Sequence, residues 1–512
     1  MLLRGKCSLL PASCVWLSGP IIYLPLLIPI ARMGSSSRGV RLMVMATSFA
    51  GLICCVLRLV PEYIAKSELH PHALWFLNIG HIINAASGPP LMATITKISC
   101  LWFAAEERTT STAALYMATN LGGLAGFVLA PAIVQQPDDM PKFLWVHLVC
   151  AAVAFLCTFP LFPRFFFPEK PERFPSEAAA QMQAQADARK LRGSATAAAV
   201  NDSSSLLSAP PAVSFMRALR LACSNGHFML LAVSSGVLQG IVSSWTGILT
   251  TVLPDSFSDE ECGWFSFSST LACIMAGIGV GAASTHYRAL RRQMKSGILL
   301  ATTLAMLSTA LFLVLTPSII QDAPLLSSSR WSMGVAITLL GAFVGATCPL
   351  AFELGAETTF PLVPESVSAS MISGFNNLAA LVFLFVAPHL SGAKITATLF
   401  GTVLACTLLL LPVKAEYKRM DGEAQAEMFQ RAQRQQVTQA LQQHAHRSNR
   451  LHSDAYLAMD DASSDYFTPA GSVSVSGARR LAQAAQEDQM QKEFARVMQE
   501  VDEGMQPNSE QF

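Results

Sequence analysis

The sequence predicts an all-α membrane protein with eleven hydrophobic spans, and three observations carry the prediction. Apolar stretches follow one another from about residue 14 to residue 413. Each is long enough to cross a hydrocarbon layer ~30 Å thick, which takes roughly 20 helical residues. The runs are too long for barrel strands, and only helices and closed barrels satisfy their backbone groups in lipid. The 512-residue chain is 52% hydrophobic and only 13% charged, against about 25% charge in a soluble domain.

The spans fall at about 15–31, 40–60, 74–98, 109–134, 143–163, 228–252, 264–284, 296–316, 332–353, 366–388 and 395–413. The first stops at Arg32, and the second lies between Arg38–Arg41 and Pro61–Glu62. The third runs from Trp75 to Lys97 through several polar residues, and the fourth follows Arg108. The fifth runs from Lys142 to Arg164. The sixth ends at Pro254, and the acidic loop Asp255–Glu261 opens the seventh. Lys295 and Pro317 bound the eighth; Arg330 precedes the ninth. Pro364 precedes the tenth, and Lys394 and Lys414 bound the eleventh.

Basic residues assign the sides. Alternate loops hold Arg32, Arg38, Arg41, Arg108, the basic residues of 164–227, Arg288, Arg291, Arg292, Lys295, Lys414, Lys418 and Arg419. The opposite loops hold Lys66, Lys142, Arg330 and Lys394. The first set is expected in the cytosol and the second outside or in a lumen. The domains follow: 1–164, a bundle of five spans; 165–227, a cytosolic linker; 228–413, a bundle of six; 414–512, a cytosolic tail. The linker is Pro-rich, then Ala/Gln/Ser-rich, and the tail is Gln-, Ala- and Ser-rich. Such composition predicts flexibility and a mostly disordered tail, with room for one charged helix at 417–445. Arg4 and Lys6 on the outer side, and the five-plus-six split, predict six-plus-six spans with the first missing. The chain is then N-terminally incomplete or alternatively started; the other reading makes 1–31 a signal sequence.

The near-neutral balance of 35 basic and 34 acidic residues excludes a global basic field, so nucleic acid is not an expected partner. The twelve cysteines show no metal spacing, and most read as small buried hydrophobes. No phosphate-binding glycine loop and no nucleophile–base cluster is found. No enzyme activity, cofactor or metal is expected.

A polar residue at mid-bilayer depth is costly and therefore a site candidate. Asn84 with Ser87 (one helical face), Asn120, Gln239, Trp245, Asn376 and Asn377 lie at that depth. Trp245 can stack on a flat or cationic ligand. The alternative for the amides is hydrogen bonding between helices. Glu353 and Glu357 share a face at the cytosolic end. They read as a proton-coupling pair or as an inner gate paired to Lys97 or Arg108. His81 reads as a sensor of lumenal pH or as a packing residue, and Arg58 as snorkelling to the interface. The spacings Gly122–Gly126, Gly277–Gly281 and Gly341–Gly345 predict close helix contacts.

Three runs carry a resemblance: KISCLWFAAEERTTSTAALYMATNLGGLAGFVLAPAIV from Lys97, FELGAETTFPLVPE from Phe352 with Asn376–Asn377 beyond it, and Gly19–Pro20–Ile21 with Arg38–Arg41. Together they resemble solute carrier family 49 of the major facilitator superfamily. That family holds the feline leukaemia virus subgroup C receptor-related proteins and disrupted in renal carcinoma protein 2. GHIINAASGPP from Gly80 is most similar to the renal-carcinoma member. The resemblance implies a two-bundle transporter, here helices two to twelve, with a substrate-facing cluster at Asn376 and Asn377. It implies a vitamin B6-like solute, a choline-like amine or haem as substrate, with proton-driven export from an acidic lumen favoured. ARMGSSSRGVR lacks the acid usual in the superfamily's loop after helix two, which puts its gating ion pair in doubt. The alternative function is a non-transporting scaffold or receptor. The chain is expected to be a monomer whose partners are a small solute, the bilayer and sorting adaptors. DSSSLL (Asp202, Leu206, Leu207), YKRM from Tyr417 and YLAM from Tyr456 fit adaptor signals and favour lysosomal or endosomal membranes over the plasma membrane.

Overall fold

A computed structural model describes residues 21–64 with short gaps, 71–158 apart from 105, 215–317 apart from 255, 329–422, and isolated positions up to 442. The chain divides into Met1–Glu423 and Ala424–Phe512, and the helices below belong to the first unit. They are α1 (Ile21–Ile30), α2 (Ser37–Ile64), α3 (Pro71–Trp102), α4 (Arg108–Ile133), α5 (Met140–Thr158), α6 (Phe215–Ser224), α7 (Gly226–Gly247), α8 (Asp259–His286), α9 (Met294–Leu315), α10 (Arg330–Thr359), α11 (Glu365–Val386) and α12 (Gly392–Leu410).

Nine helices among the described residues are long and apolar enough to cross a membrane: α2, α4, α5 and α7 to α12. Eleven were expected. α3 is long, but Asn78, His81, Asn84, Ser87 and the Pro89–Pro90 pair dilute its apolar character, and α1 is shorter.

Local chemistry fixes the helix starts. The Asn225 side chain accepts from the Phe228 N–H and caps α7. Ser258 and Glu261 form a reciprocal capping box at α8, and Ser329 with Ser332 does the same at α10, each satisfying orphan backbone donors.

Two groups form. α2 packs on α3 and α5, with α4 against α3; α7 packs on α10, α11 and α12, while α10 also meets α8 and α9. The groups touch where α4 crosses α8 and α10, and where α3 meets α11. Large apolar side chains such as Val149, Val153, Leu300, Leu307, Val382 and Phe385 remain exposed, as expected where the solvent is lipid. The exposed tryptophans Trp75, Trp145, Trp264 and Trp331 stand near the starts of α3, α5, α8 and α10. These four ends alternate with the basic loops, so the tryptophans mark one interface as an aromatic belt.

Two stretches depart from the sequence expectation. The end of the expected flexible linker is the amphipathic α6, with Ala218 and Ala222 buried and Met216, Arg217, Arg220 and Cys223 exposed. The start of the expected disordered tail is ordered. Val413 is buried, and Ala415, Tyr417 and Met420 pack against a cluster of Leu231, Met294, Ile298, Leu350, Leu354 and Leu410.

The expected glycine contacts also sort themselves. A Cβ at Gly345 would lie 2.2 Å from the Cys273 carbonyl oxygen, and one at Gly341 2.3 Å from that of Ser269. Gly277 and Gly281 admit Met117 and Ala113 of α4. Gly122 and Gly126, by contrast, face open space. Gly236 and Gly240 of α7, with the same spacing, admit the α11 backbone at Ile372 and Asn376.

Candidate functional site

A cavity of about 400 Å³ lies between the two groups. Tyr23 enters from α1, Asn84, Gly88 and Met92 from α3, and Tyr116, Thr119 and Asn120 from α4. The second group supplies Gln239 and Ser243 from α7 and Asn376, Asn377 and Ala380 from α11. Five of the seven residues expected at the site thus converge: Asn84, Asn120, Gln239, Asn376 and Asn377. None of the lining residues, all of them described, is acidic or basic.

Each amide is held differently. The Tyr116 hydroxyl donates to Gln239 Oε1 at 2.8 Å, joining the groups at the cavity. Gln239 is buried, and its Nε2 has no hydrogen-bond partner. Asn377 Nδ2 donates back to the Ser373 carbonyl at 2.9 Å, which leaves its amide oxygen to the cavity. Asn120 Nδ2 reaches the Met117 sulfur at 3.7 Å, a weak contact. An unmade hydrogen bond at a buried polar group costs ~1–3 kcal/mol, so Gln239 favours an acceptor beside it.

Two expected site residues lie elsewhere. Ser87 turns its hydroxyl back onto the Asn84 carbonyl at 2.6 Å and does not line the cavity. Trp245 is fully buried inside the second group, edge-on to Phe312 with ring centroids 5.0 Å apart. Its apolar bulk finds a deeper environment among Leu340, Leu399 and Val403.

Glu353 and Glu357, expected as a proton-coupling pair or as an inner gate paired to Lys97 or Arg108, both meet Arg419. Arg419 Nη2 donates to Glu353 Oε2 at 2.5 Å and its Nε to Glu357 Oε1 at 2.9 Å. The backbone N–H groups of Arg419 and Met420 reach Glu357 Oε2 at 3.0 and 3.1 Å. Glu365 stands 4.0 Å from Arg419 Nη1. Lys97 and Arg108 are buried too. Burial opposes the charge of Arg419, and Glu357 and Glu353 outweigh it, raising the guanidinium pKa well above its usual value. His81 is engaged too: its Nδ1 lies 3.0 Å from Arg58 Nη2.

The basic end is closed. Thr112 donates to Glu353 at 2.5 Å, Thr110 to the Gly281 carbonyl at 2.7 Å, and Thr96 to the Glu365 carbonyl at 3.3 Å. Each bond ties the first group to the second. Arg291 and Glu106 add an ion pair at 3.9 Å. Tyr417 of YKRM is packed, and burial raises its phenol pKa. Asp202, Leu206, Leu207 and Tyr456 lie outside the described residues.

This geometry, two helix groups closed at one end around a central cavity, is that of a facilitator-type transporter. The profile of the Major Facilitator Superfamily matches residues 15–388, and the chain belongs to that superfamily. Among its relatives is solute carrier family 49 member 4 homolog of Xenopus laevis, 27% identical over 74% of this chain and 77% of that protein. Another is the choline/ethanolamine transporter FLVCR1 of Felis catus, 24% identical over 77% of this chain and 63% of that protein. In structure the chain is similar to the xylose:proton symporter XylE, with TM-score 0.55 and 13% identity over 80% of this chain and 89% of that one. The fucose:proton symporter FucP of E. coli gives TM-score 0.51 and 13% identity over 78% and 91%. These two likenesses show the fold alone.

Proposed function

We propose that the protein carries a small organic solute across an endosomal or lysosomal membrane by alternating access. The carrying observation is the cavity itself: five carboxamides and two tyrosines, with no charged side chain, at the seam between the helix groups. Carboxamides offer donors and acceptors to a neutral, hydroxyl-bearing solute, and Tyr23 and Tyr116 offer ring faces. This chemistry supports a vitamin B6-like ring. A choline-like amine is the second reading, supported by the amide oxygens and aromatic faces that attract an onium group and by the substrate named for FLVCR1. The basic end is read as cytosolic. In this reading Glu353 and Glu357 close that end and do not carry a proton.

The test is uptake of labelled pyridoxine, choline and ethanolamine into proteoliposomes. One of them is expected to accumulate, with Asn377→Ala and Gln239→Ala each lowering the rate about tenfold or more, the range for losing a buried hydrogen bond to substrate. Uptake of all three at the rate of empty liposomes, or unchanged uptake in both variants, overturns the reading.

A further inference from the structure

We infer that Lys414–Asp421 is a latch whose Arg419 holds the basic end of the transporter shut. The inference rests on the alternating-access reading, and it concerns chain beyond the last predicted span. Arg419 is 3% exposed, while Glu353, Glu357 and Glu365 are each 2% exposed or less. Closure therefore takes three carboxylates out of water in one layer. A buried carboxylate without compensation is strongly unfavourable, and removing one partner of a buried pair costs far more than replacing the pair. Arg419 compensates two of the carboxylates directly. Glu353 then presents its other oxygen to Thr112 across the seam.

The latch has its own anchors. Tyr417 and Met420 sit in the apolar cluster beneath α9 and α10. Asp421 meets Arg292 at 3.3 Å, and the Lys414 N–H points at His227 Nδ1 at 3.4 Å. All these partners belong to the second group, so the segment rides with it. Arg419 works on the first group through Glu353, which also accepts from Thr112 of α4. Opening the basic end would return the carboxylates to water, where they need no guanidinium. Losing Arg419 therefore penalises the closed arrangement more than the open one.

Cys100 reports the opening, because it is fully buried in the closed end. Its alkylation by a membrane-impermeant maleimide added at the basic side of oriented vesicles is read by peptide mass spectrometry, which needs no knowledge of the solute. Arg419→Ala is expected to speed Cys100 alkylation about tenfold. On a Glu353→Gln/Glu357→Gln background the same substitution is expected to change it less than about twofold, since the charges to be compensated are gone. Should Arg419→Ala fail to fold, Arg419→Lys replaces it with a smaller rise in the same direction, and the glutamine background still tests the coupling. Alkylation at the unsubstituted rate in the single variant, or an equal rise with and without the glutamates, overturns the latch. Absent uptake of every solute would overturn the transport reading while leaving this result standing.

Discussion

Gln239 sits where the two helix groups share a hydrogen bond, with its amide nitrogen buried and unpartnered. Trp245, less than two turns further along α7, is buried in packing alone. The two residues should therefore fail differently. Gln239→Leu is expected to abolish uptake while leaving the melting temperature in detergent near the unsubstituted value. Trp245→Ala is expected to destabilise by about 3–5 kcal/mol, the cost of emptying a large aromatic site, with the surviving folded fraction transporting normally. Thermal melts paired with uptake per folded molecule separate these outcomes. The amides could be found from sequence because a polar residue at mid-membrane depth needs a reason, and the reason at Asn84, Asn120, Gln239, Asn376 and Asn377 was a shared cavity. Tyr23 and Tyr116 were missed because a tyrosine in an apolar helix raises no such question. Trp245 was misplaced because its depth matched the site while its helix face did not.

At the level of helices, glycine spacing carries information only together with a facing backbone. Gly345→Ala is expected to lower stability by about 1–3 kcal/mol through overpacking, since its new methyl meets the Cys273 carbonyl. Gly126→Ala meets nothing and should be neutral or slightly stabilising through helix propensity; melting in detergent distinguishes the pair. The sequence presented Gly122–Gly126 and Gly236–Gly240 with the same spacing, and only the fold says which one touches a neighbour. The α8 cap makes a separate prediction. Glu261 accepts from the Ser258 N–H at 2.9 Å and from Arg330. Glu261→Ala should thus lower the melting temperature in detergent by removing one half of the reciprocal cap, and Glu261→Gln, which can still accept from the Ser258 N–H, should lower it less.

For the molecule as a whole, apolar runs were enough to read an all-helical membrane fold, because lipid imposes length, but nine of the eleven expected spans meet that standard among the described residues. The same composition rules missed the packing of the stretch after the last span, because the charged run KAEYKRMD at 414–421 opens a Gln-, Ala- and Ser-rich tail and its arginine looks solvated. Its partners lie more than sixty positions earlier, at Glu353 and Glu357, and no local pattern announces them. A chain ending after Glu423 is expected to keep the melting temperature and uptake of the full protein. One ending after Val413 is expected to melt several kcal/mol lower, with its buried carboxylates deprived of a counter-charge. Anyone trimming this protein for crystals, or attaching a fluorescent tag, therefore has reason to keep the chain at least as far as Asp421, because a tidier cut at the last membrane helix would remove a piece of its interior.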